Sequence, residues 1–221
     1  MSEYIRKLIA QGENQQLDFK FEISDSKKIA RTLVAFANTD GGRLLVGVKD
    51  NGVIAGVRSE EEYYMIEAAA QLFCKPEIAF QTKEWDVDGK LVLEVIVPKS
   101  RNLKHKAPAK ENDYKVFVRV KDQNILADPI LLQYWKLEQS DNIVNINFTE
   151  PEMLLLQYVD QHGSISRNEL MNTAGIGKKQ AERMILNFML MGILELKLSE
   201  RETRFVLVSQ DILKSIATYF K

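Results

Sequence analysis

Apolar positions change period several times along this chain, and each change marks an element. Ile5, Leu8 and Ile9 recur at helical spacing and predict a short opening helix that Gly12 ends. Over residues 16–22 the period falls to two. Leu17, Phe19 and Phe21 point one way and Asp18, Lys20 and Glu22 the other, the pattern of a half-buried strand. Ser24, Asp25 and Ser26 offer N-caps to a helix with Ile29, Leu33, Val34 and Phe36 on its inner stripe, stopped by Asn38-Thr39-Asp40-Gly41-Gly42. Residues 44–48 are almost all apolar, as a strand buried on both faces requires. Asn51-Gly52 then predicts a two-residue hairpin turn between apolar strands. The helix–turn–strand unit from Lys27 to Val57 is the centre of the larger domain.

A helix over 59–73 is broken by Pro76. A second hairpin joins 78–85 to 90–97 across Asp88-Gly89, 114–120 is a further strand, and 129–137 is a closing helix. Strands and helices are interspersed without regular alternation, so the fold class is α+β with a mixed sheet. The pattern shifts near Ser140-Asp141-Asn142, which divides the chain into domains 1–141 and 142–221. Helices are expected over 150–162, 167–173 and 178–191, followed by a hairpin of 193–198 and 203–209. That is the plan of a winged helix, and a helix over 211–220 closes the chain.

Charge adds one local feature. Residues 1–141 carry 21 Lys+Arg against 22 Asp+Glu, and residues 142–221 carry 9 against 9, so neither half is uniformly basic. Between Lys99 and Lys121, however, eight Lys and Arg residues are opposed only by Glu111 and Asp113, with His105, Tyr114 and Phe117 among them. Such a stripe suits a phosphate backbone, and its expected contacts are Lys104, Lys106, Lys110, Arg119 and Lys121. Phe117 is equally suited to a core. In the second domain Ala181, Met184, Ile185, Phe188 and Met189 mark the buried stripe of the third helix. Lys178, Lys179, Gln180, Arg183 and Asn187 lie on its outer face, where Lys and Arg grip phosphates and Gln and Asn read base edges. Glu200 and Glu202 at the wing tip weigh toward protein contact instead.

The remaining chemistry is acidic. Glu13, Asp18 and Asp50 sit at strand ends where carboxylates can converge on Mg²⁺ or Mn²⁺, with Lys20 beside them to neutralise a phosphate oxygen. The plain alternative is a solvated strand face and a turn aspartate. Cys74 is the only cysteine, so an intramolecular disulfide and a cysteine-based zinc site are both excluded. There is no G-x-x-x-x-G-K-[ST] run. The glycine turn after Asn38 leaves a helix C-terminus, whose dipole repels anions, so ATP is not expected. No apolar run approaches the ~20 residues that cross a bilayer, and the first residues lack a signal-peptide core, so the expected location is cytoplasmic with no membrane partner.

Four runs carry a resemblance: Glu13-Asn14-Gln15-Gln16-Leu17-Asp18-Phe19-Lys20, Ala35-Phe36-Ala37-Asn38-Thr39-Asp40-Gly41-Gly42, Leu45-Val46-Gly47-Val48 and Val97-Pro98-Lys99-Ser100. Together they resemble the Schlafen AlbA-type domain over about residues 10–135. The resemblance implies an α+β nucleic-acid-binding fold, often joined to a C-terminal winged helix in bacterial regulators. In animal Schlafen proteins with RNase activity three acidic residues form a metal-dependent site, and their motif positions match Glu13, Asp18 and Asp50. Asp18 stands where the family usually carries Glu, a reach shorter by one methylene. The expectation is a DNA-binding transcriptional regulator that binds DNA or RNA as a homodimer. The alternatives are a metal-dependent nuclease using Glu13, Asp18, Lys20 and Asp50, and a non-catalytic interaction module.

Overall fold

The computed structural model describes residues 2–111, 113–138 and 148–212. The chain divides into two compact units, Met1–Ala127 and Asp128–Lys221. The expected junction at 141/142 lies outside the described residues, as does the expected last helix beyond residue 212.

The first unit is mixed α+β. Its main sheet has the order β1 (Leu17–Lys20), β2 (Gly42–Val46), β4 (Lys90–Val97), β3 (Gln81–Val87). β1 and β2 run parallel, joined by helix α2 (Ser26–Asn38), and the other pairs are antiparallel. Helix α1 (Ser2–Ile9) precedes the sheet, helix α3 (Glu61–Leu72) lies between β2 and β3, and two small hairpins follow. These are β5 (Ala107–Lys110) with β6 (Asp113–Lys115), and β7 (Phe117–Val120) with β8 (Gln123–Leu126).

The expected double burial of 44–48 is realised. Leu44 and Val46 join a core with Leu33, Phe36 and Val95, while Leu45 and Val48 join another with Ile5, Leu17, Phe19 and Val92. Asp25 caps α2 by accepting from the amides of Lys27 (2.8 Å) and Lys28 (3.2 Å). The glycine turn after α2 is a packing device. Gly41 has φ +70°, and a Cβ on Gly42 would stand 2.4 Å from the Phe36 ring. Asp88 and Gly89 both take positive φ and close the expected β3–β4 hairpin.

Two strand expectations change. Asn51-Gly52 makes a turn, but the returning chain meets the segment just beyond β2, through a bridge from Val48 to Ile54 and bonds from the Ala55 and Gly56 amides to the Gly47 carbonyl, and forms no strand beside β2 itself. Both edges of β2 are already taken by β1 and β4, so no place is left beside it. The strand expected over 114–120 is two, because β6 pairs back to β5 and β7 pairs forward to β8. Lys121 therefore lies in the β7–β8 turn at φ +54°, not on a strand.

The second unit contains α4 (Pro129–Glu138), α5 (Glu150–His162), β9 (Ile165–Ser166), α6 (Arg167–Ala174), α7 (Lys178–Leu190), β10 (Leu194–Lys197) and β11 (Arg204–Leu207). The three strands form an antiparallel sheet in the order β10-β11-β9. The helices close over a core of Leu155, Ile165, Leu170, Ile185, Phe188 and Phe205, to which α4 adds Ile130. A capping box starts α6: Ser166 Oγ accepts from the Glu169 amide at 3.3 Å, and the Ser166 amide donates to Glu169 Oε2 at 2.7 Å.

Candidate functional site

Parallel pairing of β1 with β2 sets their carboxyl ends side by side, the usual place for a crevice in a sheet of this kind. A cleft of about 480 Å³ opens there. β1 and its approach contribute Glu13, Asp18 and Lys20, the turn after β2 contributes Asp50, and the β7–β8 hairpin contributes Arg119, Asp122 and Asn124. The four residues expected to share chemistry thus line one space. Lys28 and Arg31 of α2 and Asp122 of the turn also line it, and sequence reading missed them. For Lys28 and Arg31 the only signal was their place on the polar side of α2, away from its apolar stripe; Asp122 gave none.

Inside the cleft, cations face the carboxylates. Arg119 Nη2 donates to Asp18 Oδ1 at 3.0 Å, and Lys20 Nζ stands 2.9 Å from Asp18 Oδ2 and 3.9 Å from Glu13 Oε1. The Lys20 contact lacks hydrogen-bond alignment, which leaves Oδ2 buried without a donor. Glu13 Oε1 accepts from the Phe19 amide at 2.8 Å. Burial raises the Glu13 carboxyl above its ordinary value, and Asp18 raises it further, against the lowering pull of the Phe19 amide and Lys20. Asp50 is exposed. Among the described residues no group of three carboxylate, histidine or cysteine side chains is placed to hold a metal ion. Glu13, Asp18 and Asp50 share a cleft but not a coordination sphere, and both oxygens of Asp18 already face cations. This donor set does not fit a three-carboxylate metal centre.

Arg119 corrects an expectation. Its side chain is 1% exposed, so it is not a surface phosphate contact. Besides Asp18 it donates to the carbonyls of Asn14 and Leu17, both at 3.3 Å, and to Asn124 Oδ1 at 2.9 Å. Its guanidinium also lies over the Phe36 ring, 5.1 Å from the centroid.

The basic stripe divides. His105 is buried, its Nδ1 2.9 Å from the Pro76 carbonyl oxygen. Phe117 joins the core. Lys99 pairs with Asp40 at 3.4 Å and Lys115 with Asp113 at 3.2 Å. Lys106, Lys110 and Lys121 are exposed and Lys104 is half-buried. Among the described residues no acid lies within ion-pair distance of Lys106 or Lys110. Exposed Lys75, not foreseen, bridges to Lys106 through the backbone and lies 4.0 Å over the Tyr114 ring.

In the second unit α7 buries Ala181, Met184, Ile185, Phe188 and Met189 and exposes Lys178, Lys179, Gln180 and Arg183, as its period predicts. Glu182 is engaged by Arg167 at 2.8 Å and Lys178 at 3.9 Å. Lys179 and Arg183 have no acid partner among the described residues. Gly177 begins the helix without a capping side chain; its carbonyl accepts from the Gln180 and Ala181 amides at 3.1 and 3.0 Å, so the first-turn amides left to meet an anion are those of Lys178 and Lys179.

The model of the family "Schlafen, AlbA_2" matches residues 13–128. No curated protein matches the chain. Among solved structures, the DIP2311 protein from Corynebacterium diphtheriae is 18% identical, with 93% of this chain covered and a TM-score of 0.45. The match spans 37% of that protein's chain. The N-terminal domain of an ATP-dependent DNA helicase RecG-related protein from Nitrosomonas europaea is 22% identical, with 57% of this chain and 95% of that one covered and a TM-score of 0.37.

Proposed function

The chain belongs to the Schlafen, AlbA_2 family through residues 13–128, and from that premise we propose that it is a nucleic-acid-binding protein, a DNA-binding transcriptional regulator whose second unit is a winged helix. The observation that carries the reading is the exposed face of α7, where Lys178, Lys179, Gln180 and Arg183 surround an uncapped helix start backed by a packed core. Lys179 and Arg183 hold phosphates and Gln180 reads a base edge. The wing between β10 and β11 carries Glu200 and Glu202 at its tip, so it adds little attraction for phosphate. In the first unit Lys104, Lys106, Lys110 and Lys121 supply further backbone contacts. A homodimer presents two such helices and raises affinity by pairing half-sites.

The test is fluorescence anisotropy of labelled duplex DNA and RNA against the whole chain over a salt series, with Mn²⁺ or with EDTA. Binding weakens steeply with salt. Each phosphate contact adds about 0.9 to the slope, so Lys179→Ala with Arg183→Ala lowers it by about two for each bound protomer. Salt-insensitive self-association without nucleic-acid affinity refutes this reading and favours an interaction module.

The nuclease alternative draws on the meeting of Glu13, Asp18, Lys20 and Asp50 in one cleft, and it requires a metal ion to draw together carboxylates that share no coordination sphere in the structure. Mn²⁺-dependent breakdown of the labelled strand, abolished by Asp50→Asn with binding retained, would establish it. Intact strands in both conditions eliminate it.

A further inference from the structure

On the other flank of the first unit, α3 and the edge strand β3 border a groove made of two adjoining pockets of about 360 and 440 Å³ that share Tyr63. Its floor is apolar, with Tyr63, Tyr64 and Phe80 beside Leu91 and Leu93 of β4. Tyr64 is 58% exposed, far more than a core aromatic. Its rim is acidic: Glu60, Glu67, Glu77 and Glu84 all line it. Arg58 is the one basic lining residue, and its guanidinium stands over the Phe21 ring, 3.9 Å from Glu22. None of the four glutamates has a cationic partner among the described residues.

The wall opposite α3 is an open strand edge. β3 pairs only with β4, and residues 81–84 are exposed throughout. The two-residue turn at Asp88-Gly89 makes Val87 and Lys90 a hydrogen-bonded pair, so alternation turns the backbone groups of Thr82, Glu84 and Asp86 outward. Such a row of donors and acceptors is a template for one more strand.

We propose that this groove binds an extended, lysine- or arginine-rich peptide segment of a partner protein, added as a strand to the free edge of β3 with apolar side chains set on the floor formed by Tyr63 and Phe80. Charge favours this occupant over a second copy of the chain paired through the middle of β3. Two-fold pairing of β3 with itself centred on Glu84 sets the two Glu84 carboxylates together. Centring on Lys83 sets lysine on lysine, and centring on Trp85 sets Glu84 against Asp86. Like charges directly opposite destabilise an antiparallel pair. A basic segment meets the four glutamates instead.

The experiment titrates a fluorescent heptapeptide in which lysine and phenylalanine share the alternate positions that face the groove, with threonine between them, into the whole chain, beside a counterpart with glutamate for lysine. The lysine peptide saturates and the glutamate peptide does not. Glu67→Lys with Glu84→Lys weakens binding at least tenfold. Thr82→Pro, which removes an outward N–H while leaving the β3–β4 ladder and the charge unchanged, does the same. Circular dichroism checks that the variants fold, and should Thr82→Pro unfold the strand the charge-reversed variant carries the test alone. Duplex DNA does not displace the peptide, so the outcome is independent of the nucleic-acid reading. Equal binding of both peptides, no saturation, full affinity in a folded variant, or displacement of the peptide by self-association each overturns the proposal.

Discussion

Replacing Arg119 by Met probes the centre of the first unit. The guanidinium makes hydrogen bonds to Asp18, Asn124 and the carbonyls of Asn14 and Leu17 at 2.9–3.3 Å in a site 1% exposed. Removing one partner of a buried ion pair costs about 3–5 kcal/mol, because the other charge is left unpaired. Here Lys20 Nζ remains 2.9 Å from Asp18, and the Met side chain still packs on Phe36, so the lower end applies, about 3 kcal/mol. With a urea dependence of about 2 kcal/mol per molar, the midpoint falls by about 1.5 M. The chain has 2 Trp, Trp85 in β3 and Trp135 in α4, so a Trp135→Phe background makes fluorescence report the first unit. Adding Asp18→Asn removes the stranded charge, so the double variant is more stable than Arg119→Met alone, with a coupling of about 1–3 kcal/mol. A loss below about 1 kcal/mol, together with weakened DNA binding, refutes the reasoning and returns Arg119 to the surface as a phosphate contact.

Three other outcomes are expected. The Ser166 amide, then Arg204, holds the Glu169 carboxyl below its ordinary value of 4.5; a lowered carboxyl stabilises above that value and loses the contribution as pH falls through its folded one. The melting of the second unit followed by Trp135 therefore drops in acid, and Glu169→Gln flattens that drop. Glu13 has the opposite sign: its raised carboxyl stabilises most when protonated and loses that advantage as pH rises. Glu13→Gln, which keeps an acceptor for the Phe19 amide, leaves the first unit at least as stable at pH 7 and shows no gain in acid, checked by thermal melts. Burial pushes the Cys74 thiol up to about 12, so a disulfide-exchange reagent at pH 8 leaves it unmodified until urea is added. Reaction of the native protein within minutes would contradict that burial.

Local pattern carried the elements whose causes are local. The apolar run of 44–48, the Asp88-Gly89 turn and the stripe of α7 each follow from the period of their own residues. Arg119 did not, because what buries it is Asp18, 101 positions away, and exposed and paired arginines look alike in sequence. The turn at Asn51-Gly52 was legible and its missing second strand was not, since the competitors for β2 come from residues 17–20 and 90–97. The cleft followed a middle course. Its four expected residues meet because parallel strands end together, but the cation between Asp18 and Glu13 required side-chain distances that no spacing rule supplies.

Asn38, which sequence pattern marked only as a helix stop, closes the amide of His105 and the carbonyls of His105 and Phe117 in three buried bonds of 2.8–2.9 Å. The amides of Lys75 and Lys106 exchange bonds on the other side of the same loop. The backbone beside Lys104 is therefore fixed at the adjacent positions 105 and 106 before anything binds. A flexible loop would surrender about 0.5–1.5 kcal/mol for each long side chain and its backbone ordering on top. Here the backbone part of that ordering is done by folding, so a phosphate held by these lysines would cost only their side-chain freedom, and amide hydrogen exchange at His105 is as slow as in the sheet.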